Sequence, residues 1–270
     1  MDCVSAGPVD GNGRGGGDSR AAAEERAGAG GERGKGRTGR RAMTDGTAAG
    51  TATAWAAPRG FAIEMRGAAA RWPGPGIGFE CDWRGQDADP RRRTEVRLAW
   101  TMETLFLRFD CRYRTLTVFP AAAGVAGRHM GLWERDVAEA FLRPEPRRAP
   151  PRYGEFEIAP NGLWLDLDID WERGAVGAGA ARELRSGMGS AAWIDRARRR
   201  WTAELAIPMQ ALTREFDPGR PWRANFFRVE GAREPRGYFA WRPTGTPQPQ
   251  FHVPAAFGRL RFARGGGGGG

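Results

Sequence analysis

The stretch YGEFEIAPNGLWLDLDID, residues 153–170, alternates apolar and polar side chains on both sides of a Pro160-Asn161-Gly162 break. Period two over such a length marks β-strands, because successive side chains leave opposite faces. Asn and Gly tolerate positive φ, so the break reads as a hairpin turn. In the second arm Leu163, Leu165, Leu167 and Ile169 face one way, and Trp164, Asp166, Asp168 and Asp170 the other. The aspartate face reads as solvated. It is not an EF-type calcium loop, which requires a Gly after the third acid and polar residues between the acids; here Leu and Ile intervene and Trp171 follows. The pattern still leaves room for a structural calcium held by loop carbonyls elsewhere.

Working outward, the same periodicity recurs. EVRLAW (95–100) and LFLRFDCRY (105–113), joined by the polar TMET, predict a second hairpin with Leu105, Leu107, Phe109 and Cys111 on one face. VAEAFL (137–142), RWTAELAIP (200–208), WRANFFRVEG (222–231), GYFAW (237–241) and GRLRF (258–262) are further strand-like runs. Trp100, Trp201 and Trp222 sit at strand parity with aliphatic neighbours and are expected in the core. Only MQALTREF, after Pro208, offers a brief helix, and the Gly- and Ala-rich segment 172–193 reads as a mobile loop. Many short strands without a long helix predict an all-β fold, an antiparallel β-sandwich of jelly-roll type.

The first sixty residues contain almost no large apolar side chain and cannot offset their ordering entropy by burial. The expected organisation is a disordered tail over 1–60, one domain over 61–264 and a flexible poly-Gly end over 265–270. The net charge of +10 would ordinarily point to nucleic acid or an anionic membrane. However, Lys35 is the only lysine, and within the domain the arginines are interleaved with acids. The dense runs are Arg91-Arg92-Arg93 and Asp195-Arg196-Ala197-Arg198-Arg199-Arg200. Solvated surface is the expected reading, without a nucleic-acid or membrane partner; an Arg-rich interaction surface is the alternative. No signal-peptide core follows Met1 or Met43, so the compartment is not legible. Cys81 and Cys111 are open between a disulfide and plain buried thiols.

Catalytic signatures are missing: no HExxH, GxSxG, P-loop or dinucleotide fingerprint is present, and His129 and His252 are far apart. No catalytic residue is assigned. A glycosidase needs only two placed carboxylates, so an O-glycosyl hydrolase remains the enzymatic alternative. Trp133, among Glu134, Arg135 and Asp136, and Trp241, before the Pro-rich loop 242–254, stand at strand ends. Aromatic rings there can present flat apolar faces to a sugar whose hydroxyls seek polar groups at the rim.

In order, VRLAWTMETLFLRFDC, LWERDVAEAFL, YGEFEIAPNG, RRWTAELAIP, WRANFFRVEG and FHVPAAFGRLRF resemble the family-9 carbohydrate-binding modules, β-sandwiches related to the DOMON group. The resemblance runs from Phe61 to Phe262. It implies a non-catalytic domain that grips a mono- or disaccharide or polysaccharide end between two aromatic rings, in carbohydrate catabolism; relatives of this kind are often exported. Trp133 and Glu139 match the family's first ring and acid in the W–x₂–D–x₂–E motif, which also contains Asp136. Trp241 is the candidate for the second ring. Arg228 matches an arginine that pairs with the acid or touches ligand, and Asn161 is a further candidate. By parity Val137, Glu139 and Phe141 share one face of their strand. Glu139 is therefore expected either to meet Arg228 or to accept from a sugar hydroxyl.

Overall fold

The computed structural model describes residues 50–64, 69–120, 127–145, 152–171 and 181–264. The poly-Gly end and most of the expected tail lie outside these residues. Thirteen strands occur among them: β1 (Thr51–Ala56), β2 (Ile77–Phe79), β3 (Thr94–Trp100), β4 (Thr104–Arg112), β5 (Val137–Arg143), β6 (Arg152–Ile158), β7 (Trp164–Asp170), β8 (Ala181–Glu183), β9 (Gly189–Asp195), β10 (Arg200–Pro208), β11 (Trp222–Glu230), β12 (Gly237–Ala240) and β13 (Gly258–Ala263). The two expected hairpins form as β3–β4 and β6–β7. MQALTREF supplies a single 3₁₀ turn, Met209–Ala211.

The strands make one continuous ladder, β8-β7-β6-β5-β11-β13-β1-β3-β4-β10-β9, with β12 beside β11 and β2 beside β3. It curls until its halves face each other. Phe109 of β4 meets Phe226 of β11 edge-on at 6.4 Å between ring centroids, and the Arg228 guanidinium of β11 lies 4.8 Å over Trp201 of β10. The core between the halves takes one parity from each strand: Val96 and Leu98, Leu105 and Leu107, Ala138 and Ala140, Trp201 and Ala203, Trp222 and Ala224. Trp100, Trp201 and Trp222 are all buried. Each large apolar side chain there contributes about 1.5–3 kcal/mol by leaving water.

Two features depart from the expected architecture. The sheet is mixed, because β1 runs parallel to both β13 and β3. β1 also lies within the segment expected to be tail. TATAWA places Ala52 and Ala54 against the core with no measurable exposure, and small side chains fit where the curled sheet closes on itself. The sheet thus takes in residues that composition assigns to the tail. Within 172–193, residues 172–180 lie outside those described, but β8 and most of β9 are strands rather than loop.

The aspartate face of β7 is not solvated. Asp166 is buried against Arg128 at 3.1 Å, and Asp168 and Asp170 pair with Arg152 at 2.5 and 3.6 Å. Arginine neutralisation lets the alternation persist on a covered face. On the outer face of β10, buried Glu204 accepts from Arg71, Trp72 and Arg108 at 2.6, 3.0 and 2.7 Å, fastening Arg71 and Trp72 over that half. Cys81 and Cys111 are free thiols, and burial pushes the Cys111 thiol up to about 12.

Candidate functional site

β5 is buried on both sides. Ala138, Ala140 and Leu142 enter the main core, while Val137 and Phe141 join a second apolar cluster on the opposite face with Tyr153, Leu165, Leu167, Phe227, Phe251 and Phe257. Glu139 lies on this second face. Its register neighbours are Phe227 on β11 and Glu157 on β6, and the next same-face pair is Phe141 with Glu155. Directly opposed residues of an antiparallel pair share a face with Cβ atoms about 5 Å apart. Three glutamates are therefore crowded onto one patch, with exposures of 2% for Glu139, 3% for Glu155 and 0% for Glu157.

No cation neutralises them at contact distance among the described residues. Glu139 Oε1, Glu155 Oε2 and both oxygens of Glu157 lack a hydrogen-bond partner there. Burial pushes Glu139 well above the usual carboxylate range, the Glu155 charge adds to this, and Arg236 partly opposes it. Glu157 is raised by burial first, then by Glu139 and Glu155. The Tyr153 hydroxyl, bonded to His252 Nδ1 at 2.6 Å, is raised by burial and by Glu155 and Glu139. The patch stores unsatisfied acceptors under an apolar cover, an arrangement that is costly unless protons or ligand donors meet it.

Arg236 ties the rim together. Its Nη2 donates to the Trp133 carbonyl, its Nε donates to the Gly231 carbonyl at 3.1 Å, and its guanidinium lies 5.2 Å over the Tyr238 ring. Trp133 is half-buried in the 3₁₀ turn Leu132–Glu134, which Gly131 opens at a φ of 84°. It packs against the same cluster as Glu139's neighbours. Tyr238 pairs with Val229 on that face and meets Trp83 edge-on at 6.1 Å.

The sequence-predicted residues divide accordingly. Trp133 and Glu139 share the outer face. Trp241 lies on the other: its ring is 5.6 Å from Phe226 and packs against the main core, so the structure does not bring Trp133 and Trp241 into one groove. Arg228 does not reach Glu139, which corrects that expectation. Phe227 occupies the position beside Glu139, and Arg228, opposite Ala138, emerges on the inner face. There it meets Asp136 at 3.4 Å and Glu230 at 3.6 Å. Asp136 also accepts from Thr117 Oγ1 at 2.9 Å and from the Gly231 amide at 2.7 Å, so it holds two loops rather than facing solvent. Asn161 donates to the Phe119 carbonyl at 2.8 Å and accepts from the Leu163 amide, bracing the β6–β7 turn.

Sequence reasoning missed Tyr238, Arg236 and the convergence of Glu155 and Glu157 on Glu139. A signal existed in GYFAW, where Tyr238 and Trp241 have opposite parity and only one can share a face with Glu139. Among the described residues no group of three or more His, Cys, Asp or Glu is placed to hold a metal ion. Asp166, Asp168 and Asp170 are spent on arginines, so they do not suit calcium.

Residues 181–262, which hold the RRWTAELAIP, WRANFFRVEG and FHVPAAFGRLRF motifs, match the model of carbohydrate-binding family 9. A curated relative, an extracellular protein of Arthroderma benhamiae, is 24% identical over 186 residues, spanning 65% of this chain and 81% of its own length. Two solved structures of a family-9 carbohydrate-binding module from Caldicellulosiruptor kristjanssonii, in complex with glucose and with cellotriose, share the fold. Each has a TM-score of 0.51 at 13% identity and covers 79% of this chain, with 96% and 94% of their own lengths matched.

Proposed function

We propose that this chain is a non-catalytic carbohydrate-binding domain of the family-9 type, which takes a short glucan or the end of a glucan chain on the outer face of β5, β6, β11 and β12. The observation that carries the reading is the meeting of Trp133, Arg236 and Tyr238 at the rim of the face that holds Glu139, with the Arg236 guanidinium bonded to the Trp133 carbonyl and lying over the Tyr238 ring. A sugar suits that rim. Its C–H surface covers an aromatic ring while its hydroxyls accept from the Arg236 guanidinium. Trp133 keeps the role that the motif gave it, Glu139 lies beneath that rim, and Tyr238 replaces Trp241 as the second ring. Binding of glucose and cellotriose by the structural relatives supports this ligand class.

The hydrolase alternative requires an acid and a nucleophile or base flanking a bond in an open cleft. Glu139, Glu155 and Glu157 are at most 3% exposed, Glu204 is held by three donors, and Asp136 is paired with Arg228. These acids are buried or already held by donors, and this favours binding over hydrolysis.

Intrinsic tryptophan fluorescence, titrated with glucose, cellobiose, cellotriose, xylobiose and galactose, tests the reading. A saturable response between micromolar and millimolar is expected for at least one glucan. Trp133→Ala should weaken it by about tenfold, or about 1.4 kcal/mol, and Tyr238→Ala by a similar factor. Trp241→Phe should leave it unchanged. No response to any of the five sugars would overturn the proposal, as would release of nitrophenol from aryl glycosides at enzymatic rates.

A further inference from the structure

The two dense arginine runs are a hundred residues apart in sequence, yet the fold sets them side by side. The Arg112 amide donates to the Arg93 carbonyl at 3.0 Å, and the Tyr113 amide to the Arg199 carbonyl at 3.1 Å. These bonds align the start of β3, the end of β4 and the β9–β10 turn. Between them lies a cleft of about 420 Å³, lined by Arg91, Arg112, Arg114, Arg198, Arg199 and Arg200 with Tyr113. Arg112 and Arg200 are direct cross-strand partners, a like-charge pairing that is unfavourable without an anion between them.

The local carboxylates are too few to neutralise the cleft. Asp89 is shared by Arg91, Arg92 and Arg114, Asp195 takes Arg198, and Asp110 takes Arg200 but is already gripped by Arg108. Arg112 has no side-chain partner among the described residues. The Arg199 side chain donates only to the Arg114 carbonyl there. Its backbone stands at a φ of 50°, which turns the chain sharply at the cleft. Guanidinium groups in such an array match the geometry of oxyanions better than any other basic group.

We propose that this cleft binds sulfate or carboxylate groups of an acidic glycan. The glycan class rests on the proposed function; the oxyanion chemistry rests on the cleft itself. Nucleic acid fits less well, because Tyr113 is buried and no exposed aromatic platform lines the cleft for base stacking.

Affinity electrophoresis of the full chain through dextran sulfate, polygalacturonate and neutral dextran tests this, with the two acidic polymers separating sulfate from carboxylate recognition. The arginines before residue 50 add polyanion affinity of their own, so the readout is the difference between the wild type and Arg112→Ser/Arg199→Ser. Both side chains are exposed and neither has a carboxylate partner among the described residues, so the melting temperature should hold. The double variant is expected to lose at least tenfold in affinity for one acidic polymer, with Arg112→Lys/Arg199→Lys falling in between. Equal binding by wild type and Ser variant, or no binding by wild type, would overturn the proposal. So would duplex DNA bound more tightly than either polymer and weakened by the same pair. Cellotriose is titrated in parallel: if it fails while the acidic-polymer loss stands, the neutral-sugar reading falls and the cleft remains. If cellotriose binds while the Ser pair changes nothing, the cleft falls alone.

Discussion

Arg228→Ala is expected to lower the free energy of unfolding by about 3–5 kcal/mol, because it strips the cation from two buried carboxylates. At about 2–4 °C per kcal/mol for a domain of this size, the melting temperature should drop by roughly 10 °C. Arg228 is fully buried between the sheet halves, with Asp136 at 3.4 Å, Glu230 at 3.6 Å and the Trp201 ring beneath it. Burial alone would lower its pKa, but Asp136 and Glu230 more than offset this and hold it raised. Glu230 is itself raised by burial, with Arg228 opposing, so removal of the arginine favours its protonated form. The destabilisation should therefore shrink as pH falls and Glu230 is neutralised. The triple change Arg228→Met, Asp136→Asn, Glu230→Gln should recover most of the loss. The amides still accept from Gly231, Arg114 and Thr115, and no charge remains buried. Urea denaturation at neutral pH measures both. A cost below about 1 kcal/mol for Arg228→Ala would mean that the pair is solvated.

This pair also shows where the sequence stops being readable. Strand positions could be read because alternation survives wherever one parity is apolar, as in β3, β4 and β7. In NFFRV both parities are apolar, so nothing in the stretch says which face looks inward. Only the register, with Phe227 opposite Glu139, decides that Arg228 and Glu139 point apart. The same ambiguity made Trp241 look like a rim residue when its parity sends it to the core. β1 was hidden for a different reason. TATAWA buries two alanines, too little apolar area to stand out from a Gly- and Ala-rich tail, and its partners β13 and β3 lie elsewhere in the chain. Trp133 and Glu139 were legible because a local motif carries them. Glu155 and Glu157 join them only through the pairing of β5 with β6.

That pairing sets up the second large effect. Glu139→Gln and Glu157→Gln should each stabilise the protein at pH 7 and leave it almost unchanged near pH 4. The sign follows from the raised pKa values. Both carboxyls keep their protons in the folded protein above about pH 4.3, where an unfolded glutamate has lost its own. The folded state then binds more protons than the unfolded one, so stability falls as pH rises, at up to about 1.4 kcal/mol per pH unit for each group. The fall stops only above the folded-state pKa. Glutamine has no proton to lose, keeps the shape, and removes that slope. The Glu155 charge helps to raise both neighbours, so Glu155→Gln should reduce the pH dependence that Glu139 and Glu157 contribute. Urea midpoints of wild type and variants at pH 4.5, 6 and 7.5 give the comparison, with the variant-minus-wild-type difference cancelling every other titrating group. If the Gln variants lose stability as pH rises instead, the carboxylates are ionised in the folded protein and a cation accompanies them. The unpartnered acceptors would then be a cation seat rather than a protonated cluster.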